Sequence, residues 1–170
     1  MEVLKSSDNS YLMIDDDFFD PLFNFLNENR IPVLAHLGEP KNCWLPLEEM
    51  TSNRNRTYYT NNPEFHAYLH PEIPNYETQI NARDKVLAKQ PDLVFVGAHL
   101  GSLEWSYEEL SKRFDLYPNF YVDLSSRLGH LLIQSAKKHD GVRDFFIAYA
   151  DDTRSVKAFE LKIAVKIRSK

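Results

Sequence analysis

Apolar residues along the chain alternate between two spacings. Phe18, Phe19, Leu22, Phe23 and Leu26 recur at intervals of three and four behind Asp15-Asp16-Asp17. That spacing predicts an amphipathic helix over 17–29 with an acidic first turn, and Pro21 falls in that turn, where its missing N–H costs least. The continuous apolar run Ile31-Pro32-Val33-Leu34-Ala35-His36 predicts a buried parallel strand, with Pro32 at its beginning. The same order then recurs: a helix over 76–89 with Ile80, Val86 and Leu87 inward, and a strand over 93–99. A helix over 103–115 and a strand over 120–124 follow, then helical patterns over 129–138 and 141–150. Val3-Leu4 reads as the end of an earlier strand. Strands alternating with helices predict βα units around a parallel sheet, an α/β fold.

Two stretches break the rhythm. Residues 37–74 carry Pro40, Pro46, Pro63, Pro71 and Pro74 and read mostly as loop; so long a connection in a compact domain is usually functional. At the other end, Phe159, Leu161, Ile163, Val165 and Ile167 alternate with Glu160, Lys162, Ala164, Lys166 and Arg168. Period two predicts a half-exposed strand, with an amphipathic helix as the competing reading.

Charge sharpens the division. Residues 153–170 hold six basic residues and one acidic, while the whole chain has a formal net charge of −5, which leaves −10 on residues 1–152. The expected organisation is a domain over 1–152 and a basic tail over 153–170. The acidic balance gives no reason to expect nucleic acid or an anionic membrane as partner, and no stretch approaches the roughly 20 apolar residues of a membrane span. A single cysteine, Cys43, excludes an internal disulfide framework. With no apolar leader in the first residues, the expected compartment is cytoplasmic.

The candidate chemistry lies at strand ends. Val33-Leu34-Ala35-His36-Leu37-Gly38 and Val96-Gly97-Ala98-His99-Leu100-Gly101 each end an apolar run in histidine, with glycine two residues later. In a parallel sheet the carboxyl ends of the strands share one face, so both imidazoles are expected in one mouth, as metal ligands or as proton shuttles. Hydrogen bonding to backbone at a strand end is the bland alternative. Asp123 closes the third strand and Arg127 follows; the arginine either holds a substrate carboxylate or pairs with Asp123. Glu39 is a substrate contact or a loop cap. Glu104 and Trp105 line the pocket, or Trp105 belongs to the core. His66 and His70, bracketed by Pro63 and Pro71, read as pocket lining from the long loop; His130 and His139 read as surface or packing residues.

These residues carry a resemblance. Pro32-Val33-Leu34-Ala35-His36-Leu37-Gly38-Glu39-Pro40, Ala82-Arg83-Asp84, the run Pro91-Asp92-Leu93-Val94-Phe95-Val96-Gly97-Ala98-His99-Leu100-Gly101-Ser102-Leu103-Glu104, and Tyr121-Val122-Asp123-Leu124 resemble the amidohydrolase-related branch of the metal-dependent amidohydrolase superfamily. The likeness runs from about residue 12 to about residue 151. It implies a (β/α)₈ barrel of TIM type with a divalent metal, often zinc, at the carboxyl face. It also implies hydrolysis or nonoxidative decarboxylation of a small carboxylated or aromatic substrate. His36 matches the strand-five metal ligand. His99 matches the strand-six histidine, a second ligand or the proton-handling residue. Arg127, Asp123, Glu39 and Glu104 are the expected substrate contacts.

The chain also departs from that pattern. It contains no His-x-His, which supplies two ligands on the family's first strand, and Asp151 or Asp152 is all that could stand for the aspartate of the last. A closed barrel takes roughly 250 residues against 170 here. The expectation is therefore a partial barrel truncated at both ends, with open sheet edges prone to self-association. It would be either an impaired metal-dependent hydrolase or a noncatalytic remnant or interaction module retaining the α/β core.

Overall fold

A computed structural model describes residues 4, 5, 7 and 9–150. Val3, Asp151, Asp152 and the predicted strand and tail within 153–170 lie outside the described residues. Three parallel strands form the sheet: β1 (Val33–Ala35), β2 (Phe95–Gly97) and β3 (Phe120–Val122), in that spatial order. Each falls inside a run predicted from its apolar residues. The pairing is in register throughout, Val33 with Phe95 with Phe120 and Ala35 with Gly97 with Val122. All three strands therefore stop at the same level. Among the described residues the sheet has these three strands and does not close into a barrel.

The helices follow the predicted order. A 3-10 turn, Asp17–Phe19, leads into α1 (Asp20–Glu28); Asp16 caps it by accepting the Phe18 amide at 2.9 Å. Helix α2 (Asn53–Asn61) is a correction, since it lies in the stretch read mostly as loop, along with the 3-10 turns Lys41–Trp44, Leu47–Glu49, Pro63–Phe65 and Ala67–Leu69. Its sequence, Asn-Arg-Asn-Arg-Thr-Tyr-Tyr-Thr-Asn, has no apolar stripe, and Tyr59 is its one buried residue. The helix is held from outside its own pattern. Ser52 caps it, and Arg56 donates to the carbonyls of Leu47 at 2.8 Å and Met50 at 2.9 Å. Helix α3 (Tyr76–Lys89) has the predicted bounds, with Asn75 as cap. Helix α4 (Tyr107–Leu116) begins four residues later than predicted, because Ser106 takes the cap position by accepting the Glu109 amide at 3.1 Å. Helices α5 (Leu128–Lys137) and α6 (His139–Ala150) close the described chain. No described helix is long and apolar enough to cross a membrane. At the amino end Lys5 bridges Tyr11 in antiparallel fashion.

The core lies on one face of the sheet. Phe95 and Phe120 are buried there with Phe23 of α1, Ile80, Val86 and Leu87 of α3, Leu110 of α4, Leu131 of α5 and Phe145 of α6. Side chains alternate along a strand, so Leu34, Val96 and Tyr121, which pair across the sheet, face the other way. Leu34 is 65% exposed. One face is thus packed and the other open, and the open face is the one His36 and Asp123 share by parity.

Asn119 ties the strand entrances to the helical layer. Its buried Nδ2 donates to the carbonyls of Gln90 at 2.9 Å and Leu93 at 3.1 Å, while its own carbonyl accepts the Phe95 amide. Replacing Asn119 by Ala leaves those carbonyls short of a donor, and a loss of about 1–3 kcal/mol in urea unfolding is expected.

Candidate functional site

In-register strands bring the next residues, His36, Ala98 and Asp123, to one rim. His99 is one position too far along. By strand parity its side chain would continue on the helix side with Phe95 and Gly97. The backbone instead turns left-handed immediately: His99 has φ 57° and ψ 50°, Leu100 φ 62°, Gly101 φ 57° and Ser102 φ 59°. This run redirects the imidazole, and its ring stands edge-on to that of His36 with centroids 5.0 Å apart. Left-handed backbone costs a non-glycine residue roughly 1–2 kcal/mol, so surrounding structure must hold three such residues in place.

The holding contacts are all present. Asp123 Oδ1 accepts the amides of His99 and Ser125, each at 2.9 Å, and the Asp123 carbonyl accepts the Leu100 amide at 2.8 Å. Ser102 donates its hydroxyl to the Gly38 carbonyl at 2.6 Å, which joins this turn to the loop after His36. Gly97 and Gly101 are required by close approach: a Cβ on Gly97 would lie 2.7 Å from the Gly101 Cα, and one on Gly101 2.7 Å from the Phe120 ring.

His99 Nδ1 lies 2.8 Å from the Ser125 carbonyl. A carbonyl only accepts, so this nitrogen carries a proton, and Nε2 is left as the site of the ring's lone pair when only one nitrogen is protonated. Asp123, expected as a substrate contact, is engaged here as a brace for the His99 backbone, and no Asp123–Arg127 ion pair occurs among the described residues.

A second polar group lies just past the turn in the chain. Glu104 is 1% exposed; its Oε1 accepts the Lys41 amide at 2.9 Å, and Oε2 is buried without a hydrogen-bond partner among the described residues. Burial pushes the Glu104 carboxyl up to about 7; its own backbone amide, that of Lys41 and the Arg127 charge oppose this, and Glu39 adds to it. Arg127 Nε and Trp44 Nε1 are likewise buried and unpartnered. The Lys41 ammonium stands 4.1 Å over the Trp105 ring, and Trp105 donates to the Tyr76 hydroxyl at 2.7 Å. His36 and Glu39 line a cavity of about 410 Å³ with Leu4, Tyr11, Leu12 and Phe19.

Of the residues singled out from the sequence, the structure brings His36 and His99 together and ties Asp123 to the His99 backbone; the sequence reading gave no role to Trp44, Lys41, Arg83 or Ser102. The three residues Ala82-Arg83-Asp84 held the available signal, a charged pair set among the inward positions of an otherwise amphipathic helix. His66 is elsewhere: buried, its Nε2 2.8 Å from the Leu45 carbonyl and its ring stacked on Tyr59. His70 contacts the Pro63 carbonyl at 3.3 Å. Burial and the neighbouring Arg127 charge hold His130 down to about 4, so it stays neutral.

The described residues do not complete a metal site. No group of three His, Cys, Asp or Glu side chains among them could hold an ion, and the rim offers two imidazoles where a catalytic zinc takes three protein ligands.

Glu104 sets a pH dependence. Its folded value lies above the ordinary carboxyl value of 4.5, so the folded chain holds the proton more tightly than the unfolded chain does. Its contribution to stability is fully present below about 4.5 and is lost as pH rises towards about 7, a change of up to about 3 kcal/mol. Urea unfolding of the wild type and of Glu104→Gln at pH 5 and pH 8 checks this, the variant being expected to lose that slope. Imidazole nitrogen NMR should show His99 as the Nδ1–H tautomer.

No curated protein and no solved structure was found to match the chain. The amidohydrolase family model matches residues 6–160 of 170. The chain therefore belongs to the amidohydrolase family, whose members typically use divalent metals in hydrolase-like chemistry on a TIM-like fold.

Proposed function

We propose that the chain is a metal-dependent hydrolase-like domain for a small carboxylated substrate, with His36 and His99 as its chemical centre. The observation that carries this reading is the edge-to-face pair of imidazoles at the ends of adjacent parallel strands, with His99 fixed as the Nδ1–H tautomer. Its single lone pair, at Nε2, can either hold a metal or take a proton from the substrate and return it, one role at a time. Arg127, whose buried Nε has no partner among the described residues, supplies charge-assisted donors to a substrate carboxylate. Glu104, partly protonated near neutral pH, can donate to the same anion or accept from a substrate hydroxyl. Glu39 reaches the site through the cavity it shares with His36. Asp123 acts by keeping His99 in place.

The three strands are, on this reading, consecutive strands of a TIM-type barrel. The cofactor this reading calls for is a divalent metal of the kind imidazole donors suit, zinc among them. With two donors from the described residues, binding by these alone is weak. The prediction is that dialysed protein retains well below one zinc per chain, measured by elemental analysis. About one zinc per chain, lost in His36→Ala, would instead mean that further donors complete the site.

A noncatalytic module that keeps the α/β core is the second reading. The incomplete donor set favours it, as do the outer edges of β1 and β3 and the open face at Leu34. Such edges favour self-association. Calorimetric titration with benzoate separates the two readings. The hydrolase-like reading expects carboxylate binding that weakens about 10- to 100-fold in Arg127→Ala; no carboxylate binding, together with concentration-dependent oligomers in sedimentation, supports the module.

A further inference from the structure

We infer that Arg83 is a positioning residue for His99, fixing the left-handed turn that swings the imidazole round to meet His36. The inference takes His99 as the chemical group of the site. Arg83 projects from α3 and is fully buried, at 0% exposure, directly beneath the turn. Its Nη1 donates to the Gly101 carbonyl. Its Nε and Nη2 both donate to Asp84 Oδ1, at 2.9 and 2.6 Å, and its guanidinium lies 4.7 Å from the Phe120 ring centroid. Asp84 Oδ2 in turn accepts from Arg113 Nε of α4 at 3.2 Å. The fork is held in one orientation on three sides, which lysine's single point charge would not reproduce.

The backbone bonds of the turn show why a buried cation belongs there. A left-handed run cannot join either the sheet ladder or a right-handed helix, so each carbonyl needs its own donor. The His99 carbonyl accepts from the Ser102 amide at 3.3 Å and that of Leu100 from the Leu103 amide at 3.0 Å. The last two look outward: Gly101 to Arg83, and Ser102 to the Tyr76 hydroxyl. The amide side is fixed by Asp123 of β3's end. The turn is thus clamped between a carboxylate above and a guanidinium below. Without the guanidinium, the buried Gly101 carbonyl loses its donor, and the non-glycine residues next to it lose a contact that offsets their unfavourable backbone angles.

A purely structural role predicts lost stability without any change at His99 in the protein that remains folded. The two are separated by imidazole nitrogen NMR on the metal-free full chain, which does not depend on metal binding or turnover. Arg83→Met removes the donor at similar length. Phe145→Leu serves as the control, its recorded ring contacts being with Tyr107, Phe114, Phe146 and Tyr149 and none with the turn. Each protein is measured well below its own Tm. In Arg83→Met, His99 is expected to lose the Nδ1–H pattern and the His36–His99 cross-ring contact, with His66, His70, His130 and His139 unchanged; Phe145→Leu is expected to keep both. If Arg83→Met does not fold, Arg83→Lys decides, with an expected partial shift confined to His99. An unchanged His99 in a folded but destabilised Arg83 variant, or an equal shift in Phe145→Leu, overturns the proposal.

Discussion

Parallel pairing in strict register governs what this chain can present. Because Val33, Phe95 and Phe120 start level and Ala35, Gly97 and Val122 stop level, the three chain continuations leave the sheet at one rim. Nothing in the helices could bring His36, His99 and Asp123 together if one strand slipped by a residue, since a single step of register would exchange the packed and open faces. The aromatic pair Phe95 and Phe120, both buried, locks that register from the helix side.

The rim is electrically unusual for so small a sheet. A cation, Arg83, lies buried below the turn, and a carboxyl group, Glu104, lies buried beside it. The first is neutralised by the adjoining Asp84. The second keeps one oxygen on the Lys41 amide and the other without a partner among the described residues. Buried charges of this kind are costly unless matched, so the two that flank the left-handed turn mark the place where this fold departs from apolar packing.

What could be read from the sequence follows from where the information is stored. Strand cores and the amphipathic helices α1 and α3 are written in local periodicity, and their bounds are recoverable to within three residues. The two histidines were legible because strand ends in a parallel sheet share a face. Helix α2 was not, because Ser52 and the Arg56 contacts with Leu47 and Met50 hold it, and these depend on residues meeting in space. The left-handed turn was hidden for a related reason: glycine at 101 announces one such residue, whereas His99, Leu100 and Ser102 adopt the same angles only under tertiary constraint. Glu104 was picked out by its place after the second histidine, but its protonation follows from burial that no pattern of neighbours encodes.

The turn also narrows the amino-acid alphabet open to this part of the chain. Leu100 is fully buried with φ 62°, so position 100 demands bulk and reversed handedness at once. Valine and isoleucine, similar in size and apolarity, are excluded by branching at Cβ, while asparagine and glycine suit the backbone but leave the core underfilled. Unbranched apolar side chains are what remain, and a mirror-image D-leucine would satisfy the backbone better than the natural residue does. Substitutions in this loop are therefore filtered by stereochemistry before any question of reactivity arises.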